Sequence, residues 1–146
     1  MLGLAIIIAH LLGDYLLQTD SMAQRKTASW RWALTHAAMY SVPHAVLLFL
    51  LLGGFGWHWL VAVLIIGSTH AVIDRYRLAK HVIWALNHTL PHDHRDEYTW
   101  AEASDNAGYS PSSPVWMKTW LMIIVDNTIH LTINAGTIAV LLWMMN

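Results

Sequence analysis

The chain places a histidine and an aspartate four residues apart at three positions. The pairs are His10 with Asp14, His70 with Asp74, and Asp126 with His130. A step of four residues advances an α-helix by about 400°, so both members of a pair should lie on one helix face, one turn apart. Imidazole and carboxylate groups are ligands for divalent metals such as Zn, Mn or Fe. The spacing therefore predicts helix faces that bind a metal ion.

The sequence around these pairs is strongly apolar. Of the 146 residues, 56% are hydrophobic and only 12% are charged, and the mean hydropathy is +0.42. This composition excludes an ordinary soluble domain. We predict an all-α, polytopic membrane protein: a single domain over residues 1–146 with four transmembrane helices, since a bilayer core needs about 20 residues per helix. The predicted spans are Met1–Gln18, Arg31–Leu52, Trp57–Tyr76 and Val115–Met145, with a long polar cytoplasmic loop at about residues 87–114.

The distribution of basic residues predicts the orientation. All eight Lys and Arg residues lie in or beside the loop after the first span and the loop before the fourth, while Gly53–Gly56 carries none. The positive-inside rule then places both basic loops in the cytoplasm and both termini on the periplasmic side of a bacterial inner membrane. A cleaved signal peptide is disfavoured, because no basic residue precedes the first apolar run and His10 and Asp14 interrupt it.

The cysteine count and the net charge narrow the range of possible functions. The chain has no cysteine, which excludes thiolate metal ligands. Its net charge of -1 gives no electrostatic argument for nucleic-acid binding. The expected partners are membrane lipid and either a second copy of the chain or a host membrane protein.

The polar residues of the different helices are predicted to lie at a similar depth in the membrane. Counted inward from the cytoplasmic edge, the three pairs and His36 fall about 5 to 18 Å deep, in one half of the bilayer. An ionised Asp at mid-membrane costs about 2.5 to 3.5 kcal/mol, so its charge must be offset by a metal, by Arg75 and Arg77, or by protons. We predict a divalent metal, with Zn as the default choice. The predicted ligands are His10, Asp14, His36, His70, Asp74, Asp126 and His130.

Other interpretations remain open. The same residues could hydrogen-bond the helices together, with Asp74 paired to Arg75 or Arg77. They could form a proton or ion relay, although the far half of the membrane offers little beyond His44 and His58. The chain could also be a non-enzymatic interaction factor that uses its long loop. In that loop, His88, His92, Asp93 and His94 are either metal ligands or ordinary polar residues.

A family resemblance covers nearly the whole chain. It is carried by the run HLLGDYLLQTD from His10 to Asp20, by Met22, Ala23 and Lys26, by the THA triplet around His36, and by HAVIDRYR from His70 to Arg77. These motifs resemble an uncharacterised family of small integral membrane proteins of bacteria and their phages. The resemblance implies a membrane architecture and no particular activity. A looser likeness is to the inner-membrane metal-dependent hydrolases, whose His-Arg-Gly and Leu-Pro-Asp patterns this chain lacks.

If the predicted site is catalytic, hydrolysis is the expected chemistry. A bound metal lowers the pKa of its water towards about 7. Asp126 or Asp14 would act as the general base. Arg75, Arg77 and Lys80 lie at headgroup level, where they would bind a phosphate. The expected substrate is a phospholipid, a polyprenyl phosphate or another amphiphile that enters from the cytoplasmic leaflet.

Overall fold

A computed structural model describes residues 1–89 and 98–145 and builds them almost entirely from helices. The helices are α1 (Leu2–Leu11), continued by a π-helical turn (Leu12–Leu16), then α2 (Asp20–Arg25), α3 (Trp30–Leu52), α4 (Trp57–Tyr76), α5 (Ala79–Thr89), α6 (Trp100–Asp105) and α7 (Val115–Met144). The all-α prediction is confirmed for the described residues.

Three of these helices, α3, α4 and α7, are long and apolar enough to cross a membrane. Their bounds agree with the predicted spans to within one residue. The predicted first span is different, because α1 has ten residues and the π-helical turn adds only five, which together fall short of the ~20 that a bilayer core requires. The helix stops because Leu17 leaves helical geometry, with φ -93° and ψ 1°, and Thr19 then caps α2. The predicted count of four spans is therefore not confirmed.

The described chain forms two compact units. The first comprises Met1–Tyr76 and His130–Asn146, and the second comprises Arg77–Ile129, so that α7 contributes residues to both. The prediction of a single domain stays a prediction.

The first unit has an apolar core made by α1, α3, α4 and the end of α7. Ile6, Leu48, Ile66 and Ile138 are among its buried members. Their outward-facing neighbours include many exposed large apolar side chains, such as Leu50 and Leu64, as expected for helices that face lipid. Helix α3 ends at Gly53, which adopts the left-handed conformation with φ 71°, typical of a glycine C-cap.

The second unit adds structure within the predicted polar loop. Helix α5 extends to Thr89, and α6 begins after Thr99, whose side chain accepts a hydrogen bond from the Glu102 backbone N–H in a capping box. Lys80 Nζ donates to Ser104 Oγ over 2.6 Å and so connects α5 to α6. The predicted loop is therefore partly helical, while His92, Asp93 and His94 lie outside the described residues.

Gly13 lets the π-helical turn approach α3 closely. A Cβ atom at this position would lie 2.7 Å from the carbonyl oxygen of Tyr40 and 3.0 Å from its Cα. Both are backbone positions that cannot move aside without shifting a helix. Gly13 thus sets the distance between α3 and the turn that carries Asp14.

We expect Gly13→Ala to destabilise the protein by about 1 to 3 kcal/mol, the usual cost of forcing extra atoms into a packed contact. Gly3→Ala in α1 is the matched control, because nothing lies within 4 Å of its new Cβ. Thermal unfolding in detergent, followed by circular dichroism, measures the difference. Equal melting temperatures for the two variants would show that the contact is not close.

Candidate metal centre

Four buried side chains from three helical segments meet in the first unit. They are Asp14 from the π-helical turn, His36 from α3, and His70 and Asp74 from α4. Each side chain is at most 7% exposed, and each offers one metal-ligating atom within 4.8 Å of the other three. The structure therefore brings together four of the seven predicted ligands in a cluster that could hold a metal ion.

Helix geometry explains how the cluster forms. His70 Nε2 and Asp74 Oδ2 lie 3.2 Å apart on one face of α4, which confirms the predicted pairing by a step of four. In the first helix, His10 Nε2 lies 4.0 Å from Asp14 Oδ2, a looser contact. The π-helical turn at Leu12–Leu16 adds a residue to the usual helical repeat next to this contact, and such turns are frequent at functional sites.

The distances between the four ligand atoms match a metal site. His36 Nε2 lies 3.1 Å from Asp14 Oδ1, 3.2 Å from Asp74 Oδ2 and 3.0 Å from His70 Nε2, while His70 Nε2 lies 3.8 Å from Asp14 Oδ1 and 3.2 Å from Asp74 Oδ2. In a tetrahedral site with bonds of about 2.0 to 2.1 Å, ligand atoms are separated by about 3.3 Å. The two imidazoles and Asp74 form a nearly equilateral triangle, and Asp14 lies beside it.

With both carboxylates ionised, no placement of hydrogens on the two Nε2 atoms satisfies every one of these contacts. The carboxylate oxygens can only accept hydrogen bonds when ionised, and each imidazole nitrogen either carries one hydrogen or accepts one. If both Nε2 atoms carried hydrogens, those hydrogens would oppose each other across the 3.0 Å between His36 and His70. If His36 Nε2 carried none, its lone pair would face two carboxylate oxygens at 3.1 and 3.2 Å. A cation at the centre makes every one of these contacts favourable.

Lys26 supplies one positive charge to this cluster. Its Nζ lies 2.8 Å from Asp74 Oδ2, 3.7 Å from Asp14 Oδ1 and 3.3 Å from His36 Nε2. Two carboxylates and one ammonium leave one net negative charge when the imidazoles are neutral. One open interpretation paired Asp74 with Arg75 or Arg77, whereas in the structure Asp74 pairs with Lys26.

A hydrogen-bonded network centred on Tyr40 supports the cluster from one side. The His44 Nδ1–H donates to the Tyr40 carbonyl over 3.1 Å, so His44 Nε2 accepts from Asn134 Nδ2 at 3.0 Å. Asn134 also donates to the Tyr40 hydroxyl over 2.6 Å, and that hydroxyl donates to His10 Nδ1 over 2.9 Å. His10 must then carry its hydrogen on Nε2, the atom turned towards Asp14. The network thus fixes the tautomer of His10, whose Nε2 lies 4.0 Å from Asp14 Oδ2.

The imidazole rings are held mainly by packing. The Tyr40 ring stacks on the His70 ring, with centroids 3.6 Å apart and planes 6° from parallel. The His130 ring lies 4.3 Å from the His70 ring. The Nδ1 atoms of His36 and His70 are buried and have no hydrogen-bond partner among the described residues. Their orientation therefore depends on these ring contacts.

The other predicted site residues are not members of this group of four, although His10 Nε2 lies 4.0 Å from Asp14 Oδ2 and His130 offers a ligand atom within 4.8 Å of one of Asp14. His10 and His130 surround Tyr40 in the first unit, whereas Asp126 belongs to the second unit, and the role of these three as ligands stays a prediction. Arg75 donates to the Thr27 carbonyl over 2.5 Å and lies over the Trp30 and Tyr76 rings.

The remaining predicted phosphate ligands, Arg77 and Lys80, lie in the second unit. His88 is exposed on α5, where its Nδ1–H donates to the Trp84 carbonyl. Phosphate binding by Arg75, Arg77 and Lys80 also stays a prediction.

The predicted site residues do not include Lys26, Tyr40 and Asn134, which the structure adds to the site. Tyr40 lies midway between His36 and His44 at steps of four, which is a usable signal for a shared helix face. Asn134 follows His130 by the same step. Lys26 had no such signal, because a basic residue beside a span ordinarily marks the cytoplasmic surface.

Comparison with known proteins identifies the family and gives no activity. No curated protein and no solved structure matches the chain significantly. The likeness to metal-dependent hydrolases stays a prediction. A family model described as "Protein of unknown function (DUF3307)" matches residues 2–99, about two thirds of the sequence, so the chain belongs to this family and its predicted resemblance to an uncharacterised family is confirmed.

Proposed function

We propose that this protein is a membrane-embedded hydrolase that uses one divalent metal, Zn by preference, to cleave a lipid or lipid-phosphate ester at the cytoplasmic leaflet. The observation that carries the proposal is the convergence of His36, His70 and Asp74 into a triangle with sides of 3.0 to 3.2 Å. Two imidazoles and one carboxylate are a common ligand set of catalytic zinc and of non-haem iron.

Asp14 has a different role in this proposal. A catalytic metal keeps one position open for water, so four protein ligands would close the site. Asp14 is not equally close to the two imidazoles: its Oδ1 lies 3.1 Å from His36 Nε2 but 3.8 Å from His70 Nε2. We therefore assign the triangle as the ligands and Asp14 as the general base beside the fourth position, where a metal-bound water would lie.

The proposed reaction balances with these groups. With a metal held by His36, His70 and Asp74 to activate a water, Asp14 would take a proton from that water, its oxygen would bond to the phosphorus or acyl carbon, and the ester bond to the leaving alcohol would break. The leaving oxygen receives the proton that Asp14 had taken. The His10 Nε2 atom lies 4.0 Å from Asp14 Oδ2, close to this exchange but beyond hydrogen-bond distance.

The membrane arrangement completes the proposal. We place α3, α4 and α7 across a bacterial inner membrane with the basic loops in the cytoplasm and the termini in the periplasm. We place α1 and the π-helical turn as a short fourth crossing, for which the membrane thins locally. This arrangement puts Asp14 and Asp74, which lie near the ends of their helices, at the cytoplasmic leaflet.

Asp14→Asn tests the proposal because it separates metal binding from catalysis. Protein purified without chelator should contain about one metal ion per chain in both forms, since the triangle is intact. Hydrolysis of phospholipid in liposomes, followed by mass spectrometry, should fall by about 10² to 10⁴ in the variant, the usual contribution of a general base. Asp20→Asn changes an exposed carboxylate on α2 and should leave both measurements unchanged. Wild-type protein without metal, or equal hydrolysis by both forms, would overturn the proposal.

A further inference from the structure

Lys26 lies at the open edge of the metal cluster. Its side chain is 17% exposed, whereas those of Asp14, His36, His70 and Asp74 are between 0% and 7% exposed. It is the C-cap residue of the short helix α2, and its ammonium reaches inward to Asp74 and Asp14. A ligand that approaches the metal position from this edge would meet the Lys26 ammonium first.

A bound metal changes what Lys26 must neutralise. In the structure the ammonium lies 2.8 Å from Asp74 Oδ2 and 3.3 Å from His36 Nε2, both assigned here as ligand atoms. A divalent ion about 2.1 Å from the same two atoms would lie a few Å from Nζ and repel it. With the ion in place, the cluster and Lys26 carry two more positive charges than without it. Burying that charge is costly unless an anion pairs with it.

We propose that Lys26 is the anion-binding residue of the site, and that the metal and the Lys26 ammonium together bind one singly charged oxyanion, the phosphodiester group. This inference rests on the proposed function and names its substrate class. A phosphodiester is a singly charged anion, and its two free oxygens can reach the metal and the ammonium at once. A lipid headgroup and a small soluble phosphodiester share this chemistry.

The position of Arg75 favours Lys26 for this role. Arg75 is also in the first unit, but its guanidinium already donates to the Thr27 carbonyl and lies over the Trp30 and Tyr76 rings. Lys26 contacts the cluster directly, through groups that the metal would take over. Metal binding therefore weakens these contacts of the ammonium, which can then pair with an incoming anion.

The absence of cysteine from the chain allows an exact test by chemical substitution. Lys26→Cys can be alkylated at that single thiol with 2-bromoethylamine, which restores an ammonium, or with iodoacetamide, which leaves a neutral side chain. Both products block the thiol from binding metal. Each is loaded with Mn²⁺, its metal content is measured, and probe binding is followed by paramagnetic broadening of the ³¹P signal. The probes are dimethyl phosphate and a short-chain phosphatidylglycerol.

The neutral product should retain the metal and bind dimethyl phosphate about ten- to a hundredfold more weakly than wild type, the fold-change expected for one lost hydrogen bond to a charged group. The aminoethyl product should recover binding to within a few-fold. Tighter binding of phosphatidylglycerol than of dimethyl phosphate supports a lipid source, and equal binding supports the phosphodiester class alone.

Three outcomes would contradict the proposal, and they differ in what else they overturn. Equal probe binding by the neutral product and wild type, with metal present in both, overturns the role of Lys26 and leaves the metal site intact. Failure of the aminoethyl product to recover binding has the same meaning. Wild-type protein that takes up no metal overturns the proposed function and this inference together.

Discussion

Asp74→Asn should weaken metal binding by at least about a hundredfold. The substitution replaces the anionic member of the ligand triangle by a neutral amide of the same shape, and even the loss of an outer hydrogen bond to a ligand commonly costs 10- to 100-fold in metal affinity. Asp74 Oδ2 lies 3.2 Å from both imidazole nitrogens, so no other described carboxylate is placed equally close to both of them. Competition with a chromophoric chelator in detergent measures the affinity.

Asp20→Asn is the matched control for this result. Asp20 lies on α2, is exposed, and accepts hydrogen bonds from Gln24, so the same chemical change occurs outside the cluster. The metal affinity of the Asp20→Asn protein should equal that of wild type. Circular dichroism of both variants checks that the helices are intact. An Asp74→Asn protein that is fully helical and binds metal as tightly as the control would exclude Asp74 as a ligand.

Lys26→Met should lower the free energy of unfolding of the metal-free protein by about 3 to 5 kcal/mol. The free energy of unfolding of the metal-loaded protein should fall by much less. Without metal, Lys26 is the cation that the structure places against Asp14 and Asp74, and removal of one partner from a buried ion pair is costly because the other charges stay buried. With metal, a divalent ion takes over this role. A ligand that binds only the folded state adds about 2.7 kcal/mol at a hundred times its dissociation constant.

Thermal unfolding in detergent, with EDTA or with excess Zn²⁺, measures how far the metal restores the stability of Lys26→Met. Lys118→Met is the control, because Lys118 hydrogen-bonds to Asn106 within the second unit. The control should show the same increase in melting temperature with Zn²⁺ as wild type. A Lys26→Met protein as stable as wild type in EDTA would show that Lys26 does not stabilise the carboxylates.

Much of the candidate site was predictable from residue spacing. His70 and Asp74 lie in one long helix, where a step of four residues fixes their common face. His36 is a predicted ligand because it lies at the same depth in the second predicted span. In the structure it contacts both aspartates. Periodicity within a helix and depth in a membrane both follow from the sequence, so these contacts were predictable.

The features that the sequence did not predict depend on local interruptions of a helix or on contacts between residues far apart in the chain. Apolarity alone extended the first span to Gln18, whereas the π-helical turn ends at Leu16 and the chain then turns into α2. The capping box of Thr99 and Glu102 is a visible signal for α6 that the polarity of the segment obscured. Lys26 reaches Asp74 across 48 residues of chain, and no spacing rule predicts such a contact.

X-ray absorption at the zinc K-edge of the Zn-loaded protein tests the central claim most directly. We expect one Zn per chain with two imidazole ligands, recognised by the outer-shell scattering of their rings, and carboxylate and water oxygens in the same first shell at about 2.0 to 2.2 Å. The imidazole signal should fall by half in His36→Gln and stay unchanged in His81→Gln, an exposed histidine of α5. A zinc spectrum without imidazole scattering would contradict a metal centre built on His36, His70 and Asp74.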